Sequence, residues 1–319
     1  MKDCILVTGA NGQIGTELAA ALTSAFPESE VIGLDIRRPV GHTPYTFVEA
    51  DITDRFSLAR LFNKYRPSQV YHLAAILSAA GEKVPRQTWD LNMQGLLNVL
   101  QLCVETKTAQ LFWPSSIAVF GHGSPRLNTP QETVMDPATV YGITKLAGER
   151  WCAYYHKHYH LDVRSLRYPG IISWETRPGG GTTDYAVEMY IAALRQGSYT
   201  CYLTPGSTLP MIYMEDAIRA TLELMTAPAG RITVRSSYNL AGTSFSPQEE
   251  AESIRQHRSD FVLEHLSNDP RQAIADSWPE SIDDSTARED WGWAPRYYLD
   301  AITTDMMQKL QDHPELISS

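Results

Sequence analysis

Thr8-Gly9-Ala10-Asn11-Gly12-Gln13-Ile14-Gly15 is the stretch that decides the fold. It follows the apolar run Cys4-Ile-Leu-Val-Thr8, which reads as a buried strand. It leads into residues 14 to 25, whose apolar positions at 14, 18, 21, 22 and 25 keep helical spacing. A Gly-x-x-Gly-x-x-Gly turn between strand and helix has a physical purpose. Gly9 permits the tight turn, Gly12 lets backbone approach a pyrophosphate, and Gly15 lets helix and strand pack closely. The helix N-terminus adds unpaired N–H groups and partial positive charge.

Working outward, the pattern repeats. Val31 to Asp35, Tyr45 to Asp51, Gln69 to Ala75, Gln110 to Ser115 and Asp162 to Tyr168 read as strands. Ser57 to Tyr65, a long helix through Gln94 to Thr106, and Tyr141 to Tyr159 read as the helices between them. Continuous apolar strands alternating with helices give βαβ units, and hence an α/β fold with a doubly wound parallel sheet covered on both faces. After Tyr168 the regularity breaks at Pro178-Gly-Gly-Gly181 and Thr204-Pro-Gly-Ser207. Met211 to Met225 and Ser236 to Ala241 look like a return to the main sheet, and Ser246-Pro-Gln-Glu249 is a capping box that starts a helix. The expected division is a nucleotide-binding domain over 1–171 with returning segments at about 211–242. A smaller, discontinuous substrate lobe takes 172–210 and 243–319.

The 319 residues, 43% hydrophobic and 20% charged, suit a globular protein of roughly two domains. Lys plus Arg number 27 against 37 Asp plus Glu, a net charge of −10 with no basic block, which argues against a nucleic-acid partner. The four cysteines (Cys4, Cys103, Cys152, Cys201) are too scattered for a disulfide framework or a zinc knuckle. No apolar run approaches the ~20 residues that span a bilayer. With a strand starting at Asp3 there is no room for a leader peptide, so the expected location is the cytoplasm.

Asp35, at the tip of the second strand and 20 residues after Gly15, can accept both adenosine ribose hydroxyls and would repel a 2′-phosphate. That favours NAD over NADP, although Arg37 and Arg38 stand close enough to accommodate the phosphate. Asp51-Ile52 ends the third strand and is placed either to flank the adenine or simply to cap the strand end. Tyr141-Gly-Ile-Thr-Lys145 puts a phenol and an ammonium on one helix face. The phenol's ordinary pKa is about 10, and a cation a turn away favours its ionised form. Ser116, at a strand's C-terminal end about 25 residues earlier, can orient a substrate hydroxyl toward it. His156 and His160 stand i, i+4 but lack a Cys or acidic partner, and they read as surface histidines, so no metal is expected.

Gly9/Gly12/Gly15, Asp35, Leu73-Ala-Ala75, Ser116-Ile-Ala-Val-Phe-Gly121, Tyr141/Lys145 and Leu166-Arg-Tyr-Pro-Gly170 together resemble the extended branch of the short-chain dehydrogenase/reductase superfamily. The resemblance spans the whole chain and implies a Rossmann sheet. It also implies Ser116, Tyr141 and Lys145 as catalytic residues, Lys145 also holding the nicotinamide ribose. It extends the NAD contacts to Asn11, Gln13, Ile14, Ile36, Arg37, Asp51, Ile52, Leu73, Ala74, Ala75, Asn92, Tyr168, Gly170 and Ile171. Two further stretches, Arg177-Pro-Gly-Gly-Gly-Thr182-Thr183-Asp184-Tyr185 and Pro270 through Trp278 to Trp293, resemble the epimerase-like L-threonine 3-dehydrogenases within that branch. The implied substrate is L-threonine. Thr182 and Thr183 are candidates for its carboxylate, Asp184 for its ammonium or for an arginine, Trp278 for its methyl group, and Ser78 for a further contact. For Asp184 a helix N-cap, and for Trp278 a packed aromatic, are equally open readings. The rivals are a nucleotide-sugar epimerase or dehydratase with tightly held NAD, and a non-catalytic NAD sensor. Relatives in the superfamily pair helices into a four-helix bundle, so a homodimer through Leu96–Val104 and Ile143–Tyr155 is expected.

Overall fold

The structure is a computed structural model, and it describes residues 3–39, 41–176 and 179–317. Arg177 and Pro178, at the head of one of the stretches quoted above, lie outside the described residues. The strands in chain order are β1 Cys4–Thr8, β2 Glu30–Asp35, β3 Thr46–Glu49, β4 Gln69–His72, β5 Gln110–Phe112, β6 Ser115–Ser116 and β7 Asp162–Arg164. They continue with β8 Leu166–Tyr168, β9 Gly170–Ile172, β10 Ser198–Cys201, β11 Leu209–Tyr213, β12 Tyr238–Asn239, β13 Thr243–Phe245 and β14 Val262–His265. The helices are α1 Gln13–Ala25, α2 Arg55–Tyr65, α3 Ser78–Glu82, α4 Pro85–Thr106, α5 Val140–Tyr159, α6 Tyr185–Arg195, α7 Met214–Thr226, α8 Pro247–His257, α9 Pro270–Asp276, α10 Ser285–Trp291 and α11 Leu299–Asp312.

The main sheet is parallel, ordered β3-β2-β1-β4-β5-β7. Its order reverses between β1 and β4, and the crevice of a doubly wound sheet opens there. Successive β1 residues face opposite sides. Ile5 and Val7 join Leu18 and Leu22 of α1 and Ala217 and Leu224 of α7. Cys4 and Leu6 join Phe62 of α2, Leu96 and Val99 of α4 and Cys152 of α5. Each such aliphatic side chain contributes about 1.5–3 kcal/mol on full burial.

Two expected strands are each broken in two. Gln110–Ser115 becomes β5 and β6 because Pro114 has no N–H to give the ladder, and Asp162–Tyr168 becomes β7 and β8 at Ser165. Backbone bonds from Trp113 N to Arg164 O and from Tyr238 N to Ser165 O stitch the pieces, so β6, β8 and β12 carry the sheet onward. The long helix starts at Pro85 rather than Gln94, with proline in the first turn where its missing N–H costs nothing. The capping box is formed: Glu249 N binds Ser246 Oγ, and Ser246 N binds the Glu249 carboxylate.

A third core, built from α6, α8, α11, β11 and Trp278, takes Ile117–Phe120 from the main sheet's edge. Trp291 and Trp293, from the stretch assigned to the smaller lobe, pack beside Tyr238 of β12 and Arg219 of α7, and Ala287 joins the same core. All four cysteines are buried and unpaired. Among the described residues no helix is long and apolar enough to cross a membrane.

Candidate active site

The glycine turn closes as its sequence demands. Gly9 has φ +72°, and a Cβ there would lie 2.7 Å from Ala74 N, so the β1 and β4 ends meet only through glycine. A Cβ on Gly15 would sit 2.0 Å from Gly9 O. Gly15 therefore serves helix packing and is outside the linings of the two cavities above the sheet's C-terminal ends. Asp35, buried, accepts Asn11 N and Arg37 N at 3.1 Å each, so its carboxylate is held at the mouth of the turn. Arg38 is drawn off to Glu49 at 2.9 Å on the surface, while Arg37 stays on the cavity wall.

Two cavities meet above the sheet's C-terminal ends. One, lined by Gly9, Gly12, Asp35, Ile36, Arg37, Asp51, Ile52 and Leu73–Ile76, is shaped for an adenosine half. The other is lined by Gln13, Ile14, Ser78, Ser116, Tyr141, Lys145, Tyr168, Gly170, Ile171, Thr182, Thr183, Asp184 and Trp278. Leu73 and Ala75 line both, which makes one trough from Asp35 to Tyr141. A glycine cradle with no room for Cβ, a ribose-accepting carboxylate and this trough fit a dinucleotide. Asp51 also caps its own turn, accepting Thr53 N and Oγ1 at 2.8 Å.

Asn92 lies on neither wall. Its amide is used within the protein, accepting Ile76 N at 2.8 Å and donating to Ile76 O and Thr144 Oγ1. It positions the loop after β4 against α5, and it sits on the part of α4 that periodicity overlooked.

Tyr141 and Lys145 rise from the first turns of α5, whose N-cap Thr139 accepts Gly142 N at 3.0 Å. Burial pushes both toward their uncharged forms. Tyr141 rises to about 12, opposed by the Ser116 hydroxyl bond, and Lys145 falls to about 7, opposed by the neighbouring Cys152 and Glu149. Lys145 Nζ donates to Pro114 O at 2.5 Å and lies 4.6 Å from the Trp113 ring centroid and 5.4 Å from that of Tyr141. The proline that breaks the strand thus frees the carbonyl that fixes the lysine.

Glu149, one turn beyond Lys145, was not anticipated, although the i, i+4, i+8 spacing from Tyr141 signals it. It accepts Ser115 Oγ at 2.7 Å and both arms of Arg167 at 2.8 and 2.9 Å, fully buried beneath the site. Tyr168 Oη is bonded to Thr221 Oγ1.

From the lobe side, Thr182 is buried against Ser78, with Oγ···Oγ1 3.2 Å and Thr182 N to Ser78 Oγ 3.3 Å. Asp184 makes no cap bond into α6. Its Oδ2 accepts Gly180 N and Gly181 N at 2.8 Å each, and burial raises its pKa to about 6 against those bonds. Trp278 is both packed in the lobe core and exposed to the cavity wall. Away from the site, His156 Nδ1 lies 3.0 Å from Leu161 O and His160 takes the left-handed position after α5.

The chain belongs to the NAD dependent epimerase/dehydratase family, whose model matches residues 5–241. It is 43% identical over 310 residues to an uncharacterized epimerase/dehydratase of Staphylococcus aureus, with 96% of each chain covered. Among solved structures it resembles an L-threonine dehydrogenase of Cupriavidus necator in its holo form, at 52% identity and TM-score 0.93 over 96% of this chain and 99% of that one. It also resembles a monomeric L-threonine 3-dehydrogenase from a metagenome, at 48% identity and TM-score 0.94 over 97% and 99%. NAD is accordingly its cofactor.

Proposed function

We infer that the chain is an NAD-dependent L-threonine 3-dehydrogenase, oxidising L-threonine to 2-amino-3-oxobutanoate. One observation carries the reading. The proton-transfer set Ser116, Tyr141 and Lys145 shares a single cavity with Thr182, Thr183, Asp184 and Trp278 from the other lobe. That cavity encloses about 130 Å³. Among the described residues its lobe side, Gly181–Asp184 and Trp278, offers no Lys or Arg for the diphosphate of a nucleotide sugar, which favours an amino acid. The likeness to L-threonine dehydrogenases over nearly the whole chain supports the same reading.

Gly9, Gly12, Asp35 and Leu73–Ala75 would hold the dinucleotide, and Lys145 its nicotinamide ribose. When bound there, NAD supplies the acceptor for the C3 hydride and a positive charge beside the phenol. Ser116 Oγ and Tyr141 Oη hold the substrate's 3-hydroxyl between them. Tyr141 Oη, ionised, takes the hydroxyl proton, and Ser116 steadies charge developing on that oxygen. Lys145 Nζ, fixed by the Pro114 carbonyl, favours the ionised phenol while it carries charge. Thr182 and Thr183 offer hydroxyls to the carboxylate, Asp184 receives the ammonium, and Trp278 covers the methyl group and excludes water.

The reading brings two further proposals: a cytoplasmic protein of threonine catabolism, and a homodimer. For the second, the α5 part of the expected surface is exposed, whereas most of the α4 part is not. Leu96, Val99, Leu100, Leu102 and Cys103 are buried in the chain's own core, and the large exposed apolar side chains of α4 and α5 are Trp89, Ile143, Trp151, Tyr154 and Tyr159. A relative that is monomeric makes light scattering the necessary check. For the activity, NADH absorbance is followed with L-threonine, L-serine and UDP-sugars, each with NAD⁺ and NADP⁺. NADH formation with L-threonine and NAD⁺ is expected; interconversion of UDP-sugars without net NADH would replace the reading by the epimerase one.

A further inference from the structure

α3 has only five residues, yet it touches both halves of the site. At its N-terminal end Ser78 Oγ meets Thr182 Oγ1 at 3.2 Å, and Ala80 N donates to Gly180 O at 3.1 Å. The approach is close enough to need glycine. Gly180 has φ +93°, and a Cβ there would lie 3.2 Å from Ala80 Cβ. At its C-terminal end Glu82 Oε1 accepts Val140 N at 2.7 Å. Val140 is the first residue of α5, and its N–H is one of the four that a helix N-terminus leaves unpaired. Thr139 caps Gly142 N, so Glu82 and Thr139 divide the first turn between them. The next residue is Tyr141. Thr88 Oγ1, donating to Gly81 O at 3.1 Å, anchors α3 to the first turn of α4.

We propose that α3 is a strut that links the seating of residues 179–184 over substrate to the position of the catalytic helix, with Glu82 as its positioning residue. The proposal rests on the dehydrogenase reading for its substrate but not for its geometry. A carboxylate at a helix N-terminus both satisfies a backbone N–H and complements the helix dipole. Because the bonded N–H lies one residue before Tyr141, losing it loosens the turn that aims the phenol. Misplacing a reacting group by about 1 Å costs on the order of 10²-fold in rate.

Three full-length variants test the strut. Glu82→Ala is expected to lower kcat with L-threonine by about 10- to 100-fold while NADH affinity stays within about twofold. Glu82→Gln keeps an oxygen that accepts Val140 N–H and is expected to restore most of kcat. Ala80→Pro removes the N–H that reaches Gly180 and restricts Ala79 before it, in the first turn of α3, and is expected to raise KM for L-threonine. In the same variant, hydrogen exchange at residues 139–143 should quicken, although these lie at the strut's far end. A kcat for Glu82→Ala within about twofold of the parent, or equal losses in the Ala and Gln variants, would overturn the positioning role. Unchanged exchange at 139–143 in Ala80→Pro would overturn the coupling. If the parent chain makes no NADH from L-threonine, the dehydrogenase reading fails, and the exchange measurement still decides the strut.

Discussion

Glu149→Gln isolates the charge beneath the active site. Glu149 Oε1 accepts Ser115 Oγ at 2.7 Å and Arg167 Nε at 2.8 Å, and Oε2 accepts Arg167 Nη2 at 2.9 Å. The two side chains are 0% and 2% exposed. The amide keeps the shape but removes the charge, and it turns one acceptor into a donor facing the guanidinium. Arg167 retains Gln131 O and Asn239 Oδ1, each at 3.0 Å, but no counter-charge. An uncompensated buried charge costs about 3–5 kcal/mol, and at about 2–4 °C per kcal/mol the Tm falls by about 6–20 °C. Replacing the pair together, as Glu149→Leu with Arg167→Met, removes the stranded charge and should recover at least half of that loss. Thermal denaturation followed by circular dichroism, with and without NADH, reads both variants. A Tm for Glu149→Gln within about 2 °C of the parent, or a double variant less stable than the single, would refute the reasoning.

Tyr141→Phe should cut kcat by about 10²–10⁴-fold with NADH binding nearly unchanged; retention of more than about a tenth of the activity contradicts proton transfer by this residue. Asp35→Ala should weaken NAD⁺ more than NADP⁺ in KM measurements, and an unchanged preference would assign the choice to Arg37. Asp184→Asn should raise KM for L-threonine more than it lowers kcat; the reverse split would remove Asp184 from ammonium binding. Where the lobes meet, burial raises Glu17 of α1 to about 8 and Glu215 of α7 to about 7, from an ordinary 4.5, with Glu175 and Asp305 adding repulsion and Lys309 opposing it at Glu215. The folded chain therefore keeps protons that the unfolded chain releases. The stability from this source is full below pH 4.5 and is lost as pH rises to about 8. Tm should fall between pH 5.5 and 8.5 in the parent and fall less in Glu17→Gln, whose Oε1 still accepts Ser173 Oγ; equal slopes would show that Glu17 is not the proton's site.

The first half of the chain was legible because its signals are local. The strand–glycine–helix turn, the alternation of apolar runs and the Tyr141–Lys145 spacing lie within windows of a few residues, and the parallel sheet follows from them. The lobe is different. α9 and α10 have seven residues each, too short to show a period, and they are fixed by distant partners, such as Arg126 donating to Asp276 O and Glu280. The site shows the same contrast. Ser116, Tyr141 and Thr182 were readable as motifs, whereas Glu82 reaches Val140 across 58 residues of sequence with no local mark. Pro114 was visible as a strand breaker, but its use as the acceptor for Lys145 exists only in three dimensions.

The placement of Trp291 and Trp293 beside β12 and α7 bears on how the chain is made. The glycine cradle leaves the ribosome early, but the apolar core on that flank of its sheet is completed when residue 293, held by the Trp293 Nε1 bond to Asp284 at 2.9 Å, has emerged. Until then the nascent chain carries an open greasy seam, the kind of surface that chaperones hold and neighbouring chains stick to. Chains cut short before residue 293 would therefore be marked for removal by that seam, even though every residue of the nucleotide motif is already present.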